Sequence, residues 1–358
     1  MNKKRTLVRR RSVLAAAGGT VATLAIVACG EEAANPDELK VQEEIAGKER
    51  SGGGQSAELS GGAQYSTSPT EMVGPIGIGQ NDERKFIYVT DSNSNMFEFT
   101  KDGVLNYWSN GGETTEEGQF SGPTDITQDR ARQLWIADSG NSRIQKMNFY
   151  LGSPEGYLPK PDIWGDSTMF DGLEQLRGSG DGVPFMIDKK GTRLRTFDVD
   201  KKPVSELTTE DEGALWKGVC VIPISGETFV LSWAPAAKAA RLYAAPRKRG
   251  TKADIELEKL ADLEGCPEPG RMSVDRSDNY FVVIPSTDEI HRYGIDGKLI
   301  TKWGGTGSGP GQFSGATGIQ AGVEGVYVAD TGNNRIQYFD IEGTFISEWG
   351  GAGTGSAS

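Results

Sequence analysis

From about Met72 onward the chain is written in short apolar runs divided by polar turns, and the pattern repeats. "PTDITQDRARQLWIADSGNSRIQKMNF" (Pro123–Phe149) can be laid beside "ATGIQAGVEGVYVADTGNNRIQYFDIEG" (Ala316–Gly343). Each reads as a strand, a turn, a second strand ending in "AD", a short polar loop, and "RIQ" opening a third strand. Each is preceded by Gly-rich or acidic text ending in "GQF". Four weaker copies share the central apolar strand: "FIYVTDSNSNMFEFTKDG", "PFMIDKKGTRLRTFDVDKK", "TFVLSWAPAAKAARLYAAP" and "YFVVIPSTDEIHRYGIDG". The residues aligned with Asp330 are Asp91, Asp138, Asp188, Ser232 and Ile284, at spacings of 47, 50, 44, 52 and 46 residues. Six units of this length, each with room for four short strands, predict an all-β fold, a six-bladed β-propeller.

The string "GQF…GIQ…VYVADTGNNRIQYFDIEGTF" resembles the NHL repeat, and residues 72–351 look like a six-bladed propeller of that kind with four-stranded blades. The resemblance is closest in the second and sixth units. The third and fourth have lost the Gly-Asn loop and carry insertions such as "AAPRKRGTKADIELEKLADLEG". The sequence leaves open which terminus supplies the strand that closes the ring. Residues 352–358 read as a Gly/Ser tail.

The cluster "DTGNNR" (Asp330–Arg335) concentrates polar chemistry, but it has counterparts in "DSGNSR" and "DSNSNM". A catalytic centre needs no copy in each unit, whereas a hairpin loop does. Asp and Asn bond their own backbone in turns, and Gly or Asn accepts positive φ. An arginine opening the next strand can then bind the aspartate or a loop carbonyl. "GGTGSGPGQF" has neither the spacing nor the Lys-Ser/Thr of a phosphate loop. Trp108, Trp303 and Trp349 recur after the "DG" turn and read as blade packing.

Function is sought where the copies differ. At the start of each innermost strand the aligned residues are Gly77, Asp125, Gln175, Gly218, Arg271 and Gly318. One residue earlier they are Ile76, Thr124, Glu174, Lys217, Gly270 and Thr317. Asp125, Glu174, Gln175, Lys217 and Arg271 therefore form a candidate ligand site at the channel mouth. Resemblance to six-bladed gluconolactonases would imply a divalent cation there, with Glu174 and Asp125 approaching it. Lys217 and Arg271 on the same rim would repel that cation, and a hard cation wants several oxygens. The mixed ring suits a polar, zwitterionic or small anionic ligand, a protein side chain, or simply ion pairs lining a solvated channel. Amidating lyases on NHL propellers hold zinc through several histidines, and this chain has one, His291. No metal, cofactor or catalytic set is expected.

The first residues add an address. "MNKKRTLVRRR" carries six basic and no acidic residues, and sixteen apolar or small residues follow. Arg10, Arg11 and Leu14 resemble a twin-arginine export signal, with a Sec-type signal as the alternative. "IVAC" resembles a bacterial lipobox, which implies a signal peptide over residues 1–28 and lipid attachment at Cys29. Residues 29–71 read as a disordered tether. Cys220 and Cys266 remain, either as a disulfide or as two buried thiols. With a formal charge of −12, nucleic acid is an unfavourable partner. These features lead us to expect a lipid-anchored binding or scaffold propeller outside the cytoplasmic membrane, for another envelope protein. A lactonase-like metal-dependent hydrolase and a sensor of a small anionic ligand are the alternatives.

Overall fold

The computed structural model describes residues 71–350 apart from 82–85, 111–114, 130–132, 149–160, 179–183, 199, 208, 210–211, 223–226 and 246–256. The expected export signal at Arg10, Arg11 and Leu14, the lipid site Cys29, the tether up to residue 70 and the tail lie outside the described residues.

Six antiparallel sheets of four strands are formed among the described residues, each from four consecutive strands. This is the six-bladed β-propeller that the repeat spacing predicts. With strands numbered in chain order, the innermost strands of blades 1 to 6 are β1 (Pro75–Asn81), β5 (Pro123–Gln128), β9 (Gln175–Gly178), β13 (Leu215–Val221), β17 (Met272–Val274) and β21 (Ala316–Ala321). They pack side by side around the ring, β1 meeting both β5 and β21. Short turns suffice because each blade is a meander, and antiparallel neighbours need no crossover.

Burial follows position within the blade. The second strands, such as Phe86–Asp91, Thr228–Ala234 and Tyr280–Ile284, are buried almost throughout, because neighbouring blades cover both of their faces. The outer strands face solvent on one side, and Leu299–Gly304 alternates accordingly. The core is thus a series of layers between blades. Ile87, Val89 and Phe97 of blade 1, for instance, meet Tyr327, Ile336 and Trp349 of blade 6.

The recurring tryptophans serve this packing. Trp349 lies against Gly103 in the "DG" turn of blade 1, and Trp303 against Gly343 in that of blade 6. Both glycines adopt positive φ, +81° and +91°, and a Cβ on either would sit 2.8 or 2.5 Å from the indole. Glycine is required twice over, for backbone and for space. Trp108 lies on the outer strand of blade 1, but its side chain is outside the described residues.

Among the described residues each blade keeps its own four consecutive strands at ring closure. The outer strand of blade 6, β24 (Phe345–Gly350), comes from the end of the described chain and pairs with Arg335–Phe339. The segment just before β1 clasps this last blade. The Gly74 N–H donates to Asn334 Oδ1 at 2.7 Å, and the Thr331 hydroxyl donates to the Pro75 carbonyl at 2.7 Å. Met72 is buried in the layer with Tyr327 and Trp349.

Candidate functional site

The repeated polar cluster is structural, and its geometry shows how. Asp330 is fully buried at the end of its strand. Its carboxylate accepts from Arg335 Nε at 2.8 Å, Gln337 Nε2 at 2.9 Å, Asn333 Nδ2 at 2.8 Å and the Ser314 N–H at 2.7 Å. Arg335 then donates to the carbonyls of Gly309 and Gln312, and Gln337 to that of Gln312. The hairpin of blade 6 thereby ties down the Gly-rich connection that enters the blade. Blade 2 repeats this with Asp138, Arg143 and Gln145 holding Thr115 to Ser121. In blade 3 Arg195 stands in the glutamine's place beside Arg193, both paired with Asp188.

Within this loop positive φ falls on Asn334, one of the two residue types expected to accept it, and in blade 2 on Ser142; Gly332 and Gly140 do not adopt it. The glycines are there for close approach: a Cβ on Gly332 would lie 2.6 Å from the Ser314 carbonyl oxygen, which its own N–H bonds at 2.8 Å.

The divergent positions converge at one end of the channel. Glu174, Gln175, Lys217 and Arg271 line a cleft of about 680 Å³ with Glu268 and Thr317. Asp125 does not reach its rim. It is fully buried, and two guanidinium groups converge on it: Arg271 of blade 5 at 3.1 Å, and Arg177 of blade 3 in direct contact. The Leu176 N–H adds a third bond at 2.9 Å. The buried Arg177 and the largely buried Arg271 require an anion beside them, and the Asp125 carboxylate, turned inward, supplies it.

Arg271 spans the ring. Its Nη2 donates to the carbonyls of Thr124 in blade 2 and Glu174 in blade 3, each at 2.8 Å. Burial pushes its pKa down, with Asp125 opposing the shift, yet an arginine remains charged at any ordinary pH. The side chain therefore acts as a polar stopper, not as a free cation. Lys217 Nζ is paired with Glu268 at 2.7 Å, and Gln175 bridges to blade 4 by donating to the Lys217 carbonyl at 2.6 Å. The Glu174 carboxyl stands apart. Burial raises its pKa against the pull of Arg271 and Lys217.

Arg177 was missed in the sequence because it lies two residues beyond the aligned channel positions. The available signal was an arginine in the middle of an innermost strand, "QLRG". A second cleft, of about 560 Å³, adjoins the first through Glu268 and is lined by Trp233, Pro235, Lys238, Cys266 and Pro267.

Cys220 and Cys266 are free thiols buried in one hydrophobic cluster, so the disulfide alternative is not formed. Burial pushes their pKa values up to about 12 and about 11, and such thiols are poor nucleophiles. His291 is buried within blade 5, its ring nitrogens 3.1 Å from Tyr293 Oη and Glu289 Oε2. Among the described residues no three His, Cys, Asp or Glu side chains are grouped to hold a metal ion.

The NHL repeat family model matches residues 120–147, the stretch that holds Asp138, Arg143 and Gln145. The chain carries an NHL repeat. The propeller is similar to virginiamycin B lyase from Staphylococcus aureus, with a TM-score of 0.52 and 13% identity over 80% of this chain and 87% of that one. A streptogramin B lyase structure gives 0.52 and 13% over 80% and 86%. A gluconolactonase from Xanthomonas campestris gives 0.49 and 12% over 75% and 84%. At these identities the likeness is one of fold. No curated protein matches the sequence.

Proposed function

We propose that this NHL-repeat propeller is an exported, lipid-anchored binding protein whose partner is another envelope protein. The observation that carries the reading is the state of the channel. Arg271 and Arg177 close on Asp125, which leaves a rigid disc with an open, charged cleft at one mouth. Rigid scaffolds with divergent residues at one rim suit recognition. The metal-dependent alternative loses its support, because Asp125 is bonded by both guanidinium groups and offers no free oxygens to a hard cation. The anion-sensor alternative loses its two cations to Glu268, Asp125 and backbone carbonyls.

The address rests on the amino terminus. Arg10, Arg11 and Leu14 would direct export, and Cys29 would carry the lipid. Loss of the basic signal would leave an acidic body repelled by anionic headgroups, so the lipid alone would hold it to the membrane.

Crosslinking in native membranes followed by pull-down tests the reading. A specific envelope protein should be recovered with the wild-type chain, and recovery of the chain by itself under gentle conditions would count against binding. A Cys29→Ala variant should appear in the soluble fraction; continued membrane attachment would remove the lipid anchor from the proposal.

A further inference from the structure

Among the described residues that line the channel-mouth cleft, every ionisable group has a partner except one. Lys217 and Glu268 are paired with each other at 2.7 Å. Arg271 is taken up by Asp125 and by the carbonyls of Thr124 and Glu174. Most neighbouring neutral groups are engaged as well: Gln175 with blade 4, the Thr124 hydroxyl with the Leu173 carbonyl at 2.8 Å, and the Thr317 hydroxyl with Thr331 at 2.7 Å, while the exposed Ser286 hydroxyl faces solvent. The Glu174 carboxylate, half-buried, has neither hydrogen bond nor ion pair. A carboxylate can accept at about four lone-pair sites, so Glu174 leaves acceptor sites open toward the cleft. Beside it Pro285 supplies exposed apolar wall, with Pro269, Val283 and Ala316 buried behind the lining.

We infer that this cleft takes a primary alkylammonium group, a lysine side chain of the bound partner, with its nitrogen on Glu174 and its methylenes along Pro285. Long amphipathic stems bury their methylenes on apolar surface while the charged head finds a polar partner. The inference rests on the binding reading above and reverses the anionic class that Lys217 and Arg271 suggest in the sequence. The charges around Glu174 are Arg271 and Lys217 from blades 5 and 4, Asp188 and Lys190 within blade 3, and Glu268 across the cleft. Because burial raises the Glu174 pKa, binding should weaken as pH falls through that raised value and the carboxylate is lost.

The test uses the full chain purified in detergent, with Nα-acetyl-lysine N-methylamide as probe and Nα-acetyl-glutamate N-methylamide as its opposite. Binding is followed through the methyl NMR signals of Val283 and Ala316. The lysine probe should shift both signals, and Glu174→Gln should weaken it by about tenfold or more, the size of one charge-assisted hydrogen bond. The thermal midpoint of Glu174→Gln should not fall, since its side chain holds nothing in the fold, so lost binding would not reflect unfolding. Equal or tighter binding of the glutamate probe, or an unchanged lysine affinity in Glu174→Gln, would overturn the inference. Repeating the membrane crosslinking with Glu174→Gln separates the two readings. A partner captured equally by both forms sinks the lysine while leaving a binding propeller; a partner lost only with the variant supports both.

Discussion

Blades 2 and 6 differ from blades 4 and 5 in how the chain enters them. In the first pair a buried hairpin aspartate gathers an arginine, a glutamine, an asparagine and a backbone N–H, and the incoming connection is fixed at several points. In the second pair the corresponding positions hold Ser232 and Ile284, which can do none of this. The connection from blade 4 to blade 5 runs instead through "CPEPGR", Cys266–Arg271, where two prolines limit the backbone and the side-chain ties come from the segment's own Glu268 and Arg271, not from a hairpin aspartate. Both clefts border that segment. Repetition keeps the disc together, and the place where repetition lapses is where the surface becomes individual.

The largest effect should come from removing a tie. Asp330→Ala or Asp138→Ala strands a buried arginine and should cost about 3–5 kcal/mol in denaturant unfolding. Ser232→Ala, at the matching site of blade 4, should stay within about 1 kcal/mol. Equal losses would erase the distinction between the two kinds of blade.

Next comes the stopper. Arg271→Met should cost about 2 kcal/mol, less than a lone ion pair, because Asp125 keeps Arg177. Combined with Asp125→Asn, the two losses should fall short of additivity by about 1 kcal/mol, which a double-mutant cycle would read. Strict additivity would mean that Arg271 is held by the Thr124 and Glu174 carbonyls alone.

The smallest test concerns the packing between blades. Gly343→Ala meets both an unfavourable φ and the Trp303 indole, whereas Gly118→Ala meets the φ with open space around it. Each unfavourable φ should cost about 1 kcal/mol, and the excess in Gly343→Ala measures the tryptophan contact. The same loss at both sites would show that Trp303 yields freely.

Much of this was legible in the sequence, for a physical reason. Closing a ring of blades demands the same hairpin geometry again and again, so "DSGNSR" and "DTGNNR" reveal period, strand order and loop position together. The same alignment, through two adjacent columns, brought Glu174 and Lys217, and Gln175 and Arg271, to one rim. It failed for Asp125, whose direction depends on Arg177 and Arg271, residues 52 and 146 positions away in the chain. Such long-range pairing leaves no mark on local pattern. The role of Gly332 was also hidden, because its reason is the nearness of Ser314, not its own backbone angles.

The clasp at Met72–Gly74 has a mechanical meaning under the proposed anchorage. A chain held by lipid at Cys29 is loaded from one end, and among the described residues the first buried one to feel the pull is Met72, at the seam between blades 6 and 1. The Gly74–Asn334 and Thr331–Pro75 bonds lie across that seam. Tension from the membrane would therefore reach the ring at its one break in chain continuity, and the force needed to unbuckle that joint would set how hard the partner can be pulled before the disc springs open.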